Sequence, residues 1–395
     1  MNARLSIAPI AALGVTQIIG YGTLYYAFSI LAPDMARDLT WSVEWIFAAL
    51  SLSLLVGGLV APWFGILIDR YGAGRLMSIG SACAAAALIG CSLAPNKLIF
   101  VAALIAVEVA ASLVQYGAAF ALLVQLNPAK AQRSITYLTL IGGFASTAFW
   151  PITAYLDTQM SWRSVYLIFA ALNLLVCLPL HAWLARGLAR SRDAIATATE
   201  PVIGKLSAAS RPIGFVLMIL AFSLQSFVAS AVLIHMVPML AALGLTATAA
   251  IIATVFGPSQ VASRLINMAF GRNLSPVILA TIAAALMSGA LLVLVLTAPR
   301  VTGAMAFAVL FGLGNGLFSI VLGTLPLLLF GSEGYGRLQG RVASARLIVS
   351  ATAPFALAAG MAQIGAIWSL GITMALGAGA VAVFLGIGRL MQARG

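Results

Sequence analysis

The chain has 395 residues, of which 63% are hydrophobic and only 8% are charged. A soluble globular domain carries roughly 25% charged residues, so this composition excludes a soluble protein of this length. The formal net charge is +12, but the 21 Lys and Arg residues stand in short breaks between apolar stretches. Because they form no continuous basic face, a nucleic-acid partner is excluded and a lipid bilayer is the expected surrounding.

Twelve apolar stretches follow one another along the chain, each long enough to cross a bilayer as a helix of about 20 residues. Helices are expected because an open sheet would leave backbone groups unpaired in lipid. The first stretch is too long for the core of a secretion signal, so we expect it to be retained as a helix. The stretches cover residues 7–33, 43–68, 75–94, 97–124, 134–157, 163–184, 212–240, 246–268, 276–298, 300–328, 340–363 and 366–388.

The longest polar interval, residues 185–211, divides these stretches into six plus six. The sequence therefore predicts an all-α membrane protein with twelve transmembrane helices in two six-helix pseudo-repeats. Residues 1–184 form the first bundle, 185–211 a cytoplasmic linker and 212–395 the second bundle. Pro33 and Pro238 stand at matching positions near the end of the first helix of each half, which agrees with two parallel repeats.

The distribution of basic residues predicts the orientation. With the N-terminus in the cytoplasm, the inner segments hold 16 Lys or Arg residues. The outer segments then hold only Arg37, Lys97, Arg163 and Arg300. Basic residues favour the cytoplasmic side, so both termini are expected in the cytoplasm and the protein in the bacterial inner membrane.

A glycine-containing loop with both charge signs lies between the second and third stretches, where residues 65–75 read GILIDRYGAGR. This loop resembles the signature G-x-L-x-D-R-x-G of the major facilitator superfamily, with the following basic residue slightly late. Glycines permit a tight turn and close helix approach. The resemblance implies the major facilitator fold, with an ion-pair latch of Asp69 at the cytoplasmic mouth. The expected gating loop consists of Gly65, Asp69, Arg70, Gly72 and Arg75.

Two further segments, residues 142–151 and 161–166, resemble the fifth and sixth helices of bacterial relatives of the monocarboxylate porters. In those proteins a G-W-R-x-x-[FY] step is common, and Ser161 replaces its glycine here. The G-x-x-x-G-P motif of proton-coupled drug antiporters is missing before Pro151. The missing motif argues against a drug antiporter of that type, but it does not exclude efflux.

The resemblance implies that the first, fourth, seventh and tenth helices line a central cavity. At ~1.5 Å per residue, each of them carries a polar side chain near mid-membrane. These are Gln17, Glu108, Gln225 and Asn315. A carboxyl group at that depth, roughly 16 Å for Glu108, is costly and is a functional candidate by default. Apolar surroundings favour its neutral form, so Glu108 is the expected proton-coupling residue, with a structural acid as the alternative.

Other candidates share a helix face with these residues. Tyr21 and Tyr25 follow Gln17 at i+4 and i+8, and Gln115 follows Glu108 by one heptad. The tyrosines are expected to line the cavity with hydroxyl groups. The alternative is that they lie at the lipid interface.

The eighth stretch carries Gln260 and Arg264, four residues apart on one helix face. Residues 257–264 resemble the eighth helix of the monocarboxylate porters, where an aspartate and an arginine at this spacing handle the proton and the anion. Gln260 replaces that aspartate. Arg264 and Arg346 could each hold an oxyanion through the planar guanidinium group. Both could instead extend to the membrane surface.

The expected function is secondary active transport of a small organic or inorganic anion by alternating access, because arginines outnumber acids in the candidate cavity. The alternative is a proton-coupled efflux pump for a toxic compound, a drug or a metalloid. An enzyme, a cofactor and a metal site are not expected, since no His, Asp or Cys cluster occurs. Expected partners are the small-molecule substrate, the lipid bilayer and co-transported H⁺, and the protein is expected to be a monomer.

Overall fold

The computed structural model of the chain describes residues 7–187, 201–271 and 273–392. Within them, twelve helices are long and apolar enough to cross a membrane. The predicted all-α multi-pass membrane protein is thereby confirmed, and the predicted ends differ by six residues at most. The spans, in chain order, are Ile7–Asp38, Val43–Tyr71, Ala73–Ser92, Lys97–Leu126, Pro128–Gln159, Trp162–Gly187, Arg211–Leu245, Ala249–Phe270, Pro276–Thr297, Val301–Phe330, Tyr335–Ile364 and Ala366–Gln392.

The described chain forms two compact units. The first unit consists of Met1–Ile203 and Ser332–Leu347, and the second of Gly204–Gly331 and Ile348–Gly395. The eleventh span is therefore shared, because its residues 335–347 belong to the first unit.

Some of the predictions fall outside the described residues. This holds for positions 188–200 of the predicted linker and for five residues of the charge count, Arg4, Arg190, Arg192, Arg272 and Arg394. The division into two bundles joined by a linker at 185–211 stays a prediction, and so does the orientation.

The second unit has a continuous apolar core that joins its seventh, eighth, ninth, tenth and twelfth spans. Val232, Phe256, Met287, Phe307 and Leu370 are among its fully or nearly fully buried side chains. Lipid tails are as apolar as these side chains, so close packing rather than the hydrophobic effect holds the spans together.

The first unit contains several breaks in its helices. The first span has a π-helical turn at Gly22–Tyr26, and the sixth has another at Asn173–Cys177. The two turns are tied together, because Asn173 Nδ2 donates to Thr23 Oγ1 at 2.9 Å. The fourth span is interrupted at Gln115, whose backbone is extended. Such turns are frequent at functional sites, and irregular backbone at this depth requires internal partners.

A polar cluster joins the ends of the first, third and sixth spans. Arg163 Nε donates to Asp38 Oδ2 at 2.8 Å. Arg163 Nη1 donates to the carbonyl oxygens of Ser92 and Ala94 at 2.6 and 2.9 Å. Trp162 Nε1 donates to the same Asp38 oxygen at 3.0 Å. The Trp-Arg step that the sequence singled out therefore caps the end of the third span.

The substitution Arg163→Ala should lower the free energy of unfolding by roughly 1.5–3 kcal/mol, because it removes hydrogen bonds of a charged group. Thermal unfolding of the purified protein in detergent measures this. The matched control is Arg37→Ala, which breaks only an exposed pair with Asp34 and should cost less than about 1 kcal/mol. Equal losses in the two variants would contradict the capping role.

Candidate functional site

Gln17 supports the break in the fourth span. In a regular helix the amide of Ala118 would bond to Val114, but here it donates to the Gln115 carbonyl oxygen at 3.1 Å. Gln17 Nε2 instead donates to the Val114 carbonyl oxygen at 2.7 Å. The Gln17 side chain is buried, and its Oε1 atom has no hydrogen-bond partner in the described part of the chain. The side-chain amide of Gln17, in the first span, thus bonds to the Val114 carbonyl oxygen that the break leaves without its helical partner.

Glu108 lies deep in the fourth span and is only 6% exposed. Its carboxyl group forms no hydrogen bond and no ion pair with any described residue, since the two ion pairs found join Arg37 to Asp34 and Arg163 to Asp38. The phenol groups of Tyr25 and Tyr166 lie within electrostatic range of it. Glu108 is therefore a buried acid without a cationic partner among those residues.

Arg346 lies in the part of the eleventh span that belongs to the first unit. Its guanidinium group is within electrostatic range of the Tyr21 and Tyr25 hydroxyl groups. The residue is partly exposed. Glu108 and Arg346 both act electrostatically on Tyr25, whereas no hydrogen bond or ion pair joins Tyr25 to either of them in the described part of the chain.

Arg264 is a buried, charged residue of the second unit with several hydrogen-bond partners. It is only 4% exposed. Its Nε atom donates to Ser319 Oγ at 3.1 Å and to the Gly316 carbonyl oxygen at 3.3 Å. Its Nη2 atom donates to Gln260 Oε1 at 3.3 Å, as the four-residue spacing predicts. The Nη1 atom has no hydrogen-bond partner among the described residues, and every acceptor that Arg264 contacts is neutral.

The remaining predicted polar residues have simpler surroundings. Gln225 is buried in the second unit, where its Nε2 atom contacts Met287 Sδ and its Oε1 atom has no partner in the described chain. Asn315, in the tenth span, and Gln115, at the break of the fourth, are both partly exposed. The role of each as a substrate ligand stays a prediction.

The gating loop contacts the start of the eleventh span within the first unit. Asp69 Oδ1 accepts a hydrogen bond from the Gly336 amide, and Oδ2 accepts one from the Arg337 amide, both at 2.8 Å. These partners are backbone amides at a helix N-terminus, where negative charge is favoured, and not the basic side chains of the predicted ion-pair latch.

The glycines of the loop have the expected geometric roles. A Cβ atom on Gly65 would lie 2.5 Å from the Gly336 carbonyl oxygen, so no larger residue permits this approach. Gly72 ends the second span with φ +92°, which favours glycine. Arg70 lies over the Tyr71 ring, and Arg75 is exposed.

The sequence analysis missed three residues that lie at the gating loop, beside Arg264 and at the break of the fourth span. Gln125 donates to the Ile68 carbonyl oxygen and accepts from the Ala73 amide, which fixes the gating loop to the fourth span. Ser319, four residues after Asn315, could have been found from helix periodicity. Tyr116 directly follows Gln115 at the break, which no sequence signal marked.

The chain matches the model of one protein family, described as the Major Facilitator Superfamily, over residues 13–354. No curated protein sequence matches it. Among solved structures, the proton:xylose symporter XylE, bound to 6-bromo-6-deoxy-D-glucose, is similar with a TM-score of 0.75 and 13% sequence identity. That likeness covers 96% of this chain and 95% of the other.

Two further structures share the fold. The human organic anion transporter MFSD10 is similar with a TM-score of 0.71 and 14% identity, over 95% of this chain and 99% of that chain. The fucose:proton symporter FucP of E. coli is similar with a TM-score of 0.66 and 15% identity, over 96% and 98% of the two chains. At these identities the likeness concerns the fold alone.

The substitution Asp69→Ala should expose the amides of Gly336 and Arg337 to hydrogen exchange, because both lose a charged acceptor worth roughly 1.5–3 kcal/mol. Hydrogen–deuterium exchange with mass spectrometry should show about tenfold faster exchange in the peptide that covers residues 335–341. Asp34→Ala, which removes a partly exposed carboxyl group of the same unit that is paired with Arg37, is the control and should leave this peptide unchanged. Unaltered exchange in Asp69→Ala would contradict the contact.

Proposed function

Because the chain belongs to the Major Facilitator Superfamily and is a membrane transporter rather than an enzyme, we propose that it carries a small organic or inorganic anion by alternating access. In such carriers two helix bundles expose a site near the middle of the membrane to one side and then to the other. The family leaves the substrate open, so the proposal rests on the chain's own charged residues.

The observation that carries the proposal is the surrounding of Arg264. Its guanidinium group is buried, contacts only neutral acceptors and keeps Nη1 free of hydrogen bonds within the described chain. A buried charge without a counter-ion is strongly destabilising, by about 3–5 kcal/mol where one partner of a buried pair is removed. A carboxylate or another oxyanion would supply the missing charge and accept hydrogen bonds from the planar group.

Glu108 supports coupling to H⁺. It is buried and has no cationic partner among the residues described. Since an isolated buried carboxylate is costly, binding of a proton is the simplest way to neutralise it. XylE and FucP are proton symporters by name, and MFSD10 is an organic anion transporter. Those activities belong to distant relatives. They are consistent with the proposal but are not the evidence for it.

The sequence supports a proposal for the membrane, the orientation and the oligomeric state of the carrier. We propose that it works as a monomer in the bacterial inner membrane with both termini in the cytoplasm, because basic residues concentrate in the segments assigned to that side. Kinship with the bacterial relatives of the monocarboxylate porters is part of the same proposal and rests on residues 142–151, 161–166 and 257–264.

Export of a toxic compound is the second candidate function, and Glu108 is the residue that favours it. An intramembrane acid can bind a proton in exchange for a substrate as readily as together with one. The two functions differ in the direction of substrate movement relative to an imposed pH gradient. Transport in vesicles of known orientation distinguishes them.

The substitution Arg264→Gln should abolish binding of anions while the protein stays folded. We expect at least one acid in a panel of acetate, lactate, oxalate and benzoate to raise the melting temperature of the wild-type protein. The melting-temperature shift should vanish in Arg264→Gln. In Arg264→Lys, which lacks the planar guanidinium group, the affinity for the acid should fall by about tenfold. Arg389→Gln, at an exposed position of the twelfth span, is the control. An undiminished shift in Arg264→Gln would refute the anion site.

The substitution Glu108→Gln should uncouple transport from the proton gradient, because glutamine cannot bind and release a proton. In proteoliposomes, net uptake of the bound acid should no longer respond to an imposed pH gradient, while exchange of labelled for unlabelled acid continues. Glu44→Gln removes a fully exposed carboxyl group and should behave as the wild type. A pH-gradient response retained in Glu108→Gln would contradict the coupling role.

A further inference from the structure

The second unit carries no acidic residue. All nine Asp and Glu residues of the chain fall within the residue ranges of the first unit, whereas the ranges of the second hold Lys and Arg as their only charged residues. Arg264 therefore has no carboxylate of its own unit to pair with, and it forms no ion pair with any described residue. The second unit leaves the charge of this buried guanidinium group uncompensated.

Gln260 orients that guanidinium group without neutralising it. It precedes Arg264 by about one helical turn and is only 6% exposed. Its Oε1 atom accepts a hydrogen bond from Arg264 Nη2 at 3.3 Å. Because a guanidinium group can only donate, the atom that faces it is the amide oxygen, and Nε2 lies at the other end of the amide. Gln260 is thus a neutral acceptor beside a lone positive charge.

The amide nitrogen of Gln260 is available as a donor. Nε2 forms no hydrogen bond with a described residue and, unlike Arg264 Nη1, it is not completely buried. The other guanidinium donors are occupied, since Nε bonds to Ser319 and Gly316 and Nη2 bonds to Gln260 itself. Two neighbouring donors on one helix face, Nη1 and Nε2, therefore lack an acceptor in the described chain. An oxyanion offers acceptors to both.

We propose that Gln260 determines the specificity of the anion site: its oxygen positions Arg264, its nitrogen donates to the bound anion, and its neutrality reserves the Arg264 charge for that anion. The site consequently binds the deprotonated anion and takes up no proton of its own. This inference rests on the function proposed above and deepens it.

The elements packed against the eighth span carry no group that could replace Gln260 in this role. The tenth span, Val301–Phe330, has no charged or titratable side chain. The seventh span contributes Arg211 at its start and His235 near its other end, where Nε2 of the histidine contacts the Pro354 carbonyl oxygen. Arg264 is the only ionisable residue of the eighth span. Proton uptake therefore belongs elsewhere, in agreement with the role proposed for Glu108.

Anion binding to the purified full-length protein in lipid nanodiscs tests the proposal, with acetate, lactate, oxalate and benzoate as probes in isothermal titration calorimetry. Gln260→Met, which keeps the length but removes acceptor and donor, should weaken binding about tenfold. At pH 8.5, Gln260→Glu should bind at least about tenfold more weakly than Gln260→Met, because the introduced carboxylate supplies the counter-charge and repels the anion. Gln363→Glu, at an exposed position of the second unit, is the control and should bind as the wild type does.

The pH profile separates this role from a structural one. In Gln260→Glu the introduced carboxylate must take up a proton before the anion can replace it, so anion affinity should rise on acidification and fall as the pH rises. Between pH 8.5 and 5.5, the ratio of wild-type to variant affinity should shrink by up to about tenfold per pH unit. Taking the ratio removes any contribution of Glu108, which both proteins share. A constant ratio, or Gln260→Met with wild-type affinity, would overturn the proposal.

Melting temperatures without added anion give a second readout. Gln260→Glu should raise the melting temperature of the wild-type protein, because the new carboxylate pairs with Arg264, and should lower it in the Arg264→Gln background, where the carboxylate stays alone. A change of the same sign in both backgrounds would overturn the proposal. If none of the four acids binds the wild-type protein, the proposed function fails, whereas these melting temperatures still decide whether Gln260 leaves the Arg264 charge uncompensated.

Discussion

The cost of an unpaired polar group inside a bilayer governs this structure, because no water is available there to satisfy it. Where the backbone departs from regular helix, a side chain fills the gap. Gln17 bonds to the Val114 carbonyl oxygen at the break of the fourth span. In the second unit, Pro354 lacks the amide that would bond to the Ser350 carbonyl oxygen, and Ser230 Oγ donates to that oxygen at 3.0 Å. The spans tolerate their kinks because neighbouring spans supply these partners.

Against this background, the groups that lack a partner are informative. Glu108 and one nitrogen of Arg264 are buried among the described residues without a counter-charge. For these two ionisable groups the proposed function supplies a mobile ion as the complement: a proton for the acid and an anionic substrate for the arginine. Arg346 adds a second cation beside the first-span tyrosines. In the proposed function, binding and release of these two ions would supply the energy differences that a carrier needs between its states.

The twelve spans and their ends could be predicted because hydropathy and chain length constrain helices in lipid almost completely. The pairing of Gln260 with Arg264 followed from helix periodicity alone. The break at Gln115 could not be predicted, since a single glycine nearby, Gly117, is common in transmembrane helices. The side chain that supports the break, Gln17, lies 97 residues before Val114. The loop pattern predicts basic side chains as the partners of Asp69, whereas its partners are two backbone amides 267 and 268 residues away. Contacts of this kind depend on tertiary packing and leave no local sequence signal.

Counterflow in proteoliposomes tests the central claim, that the buried charges are completed by an anionic substrate. Vesicles that contain the purified protein are loaded with an excess of one unlabelled compound and diluted into a trace of the same labelled compound, without any ion gradient. The account predicts transient accumulation of label for a carboxylate such as benzoate, and none for benzamide or glucose. Accumulation of glucose or of an amine, with none for any carboxylate, would contradict it.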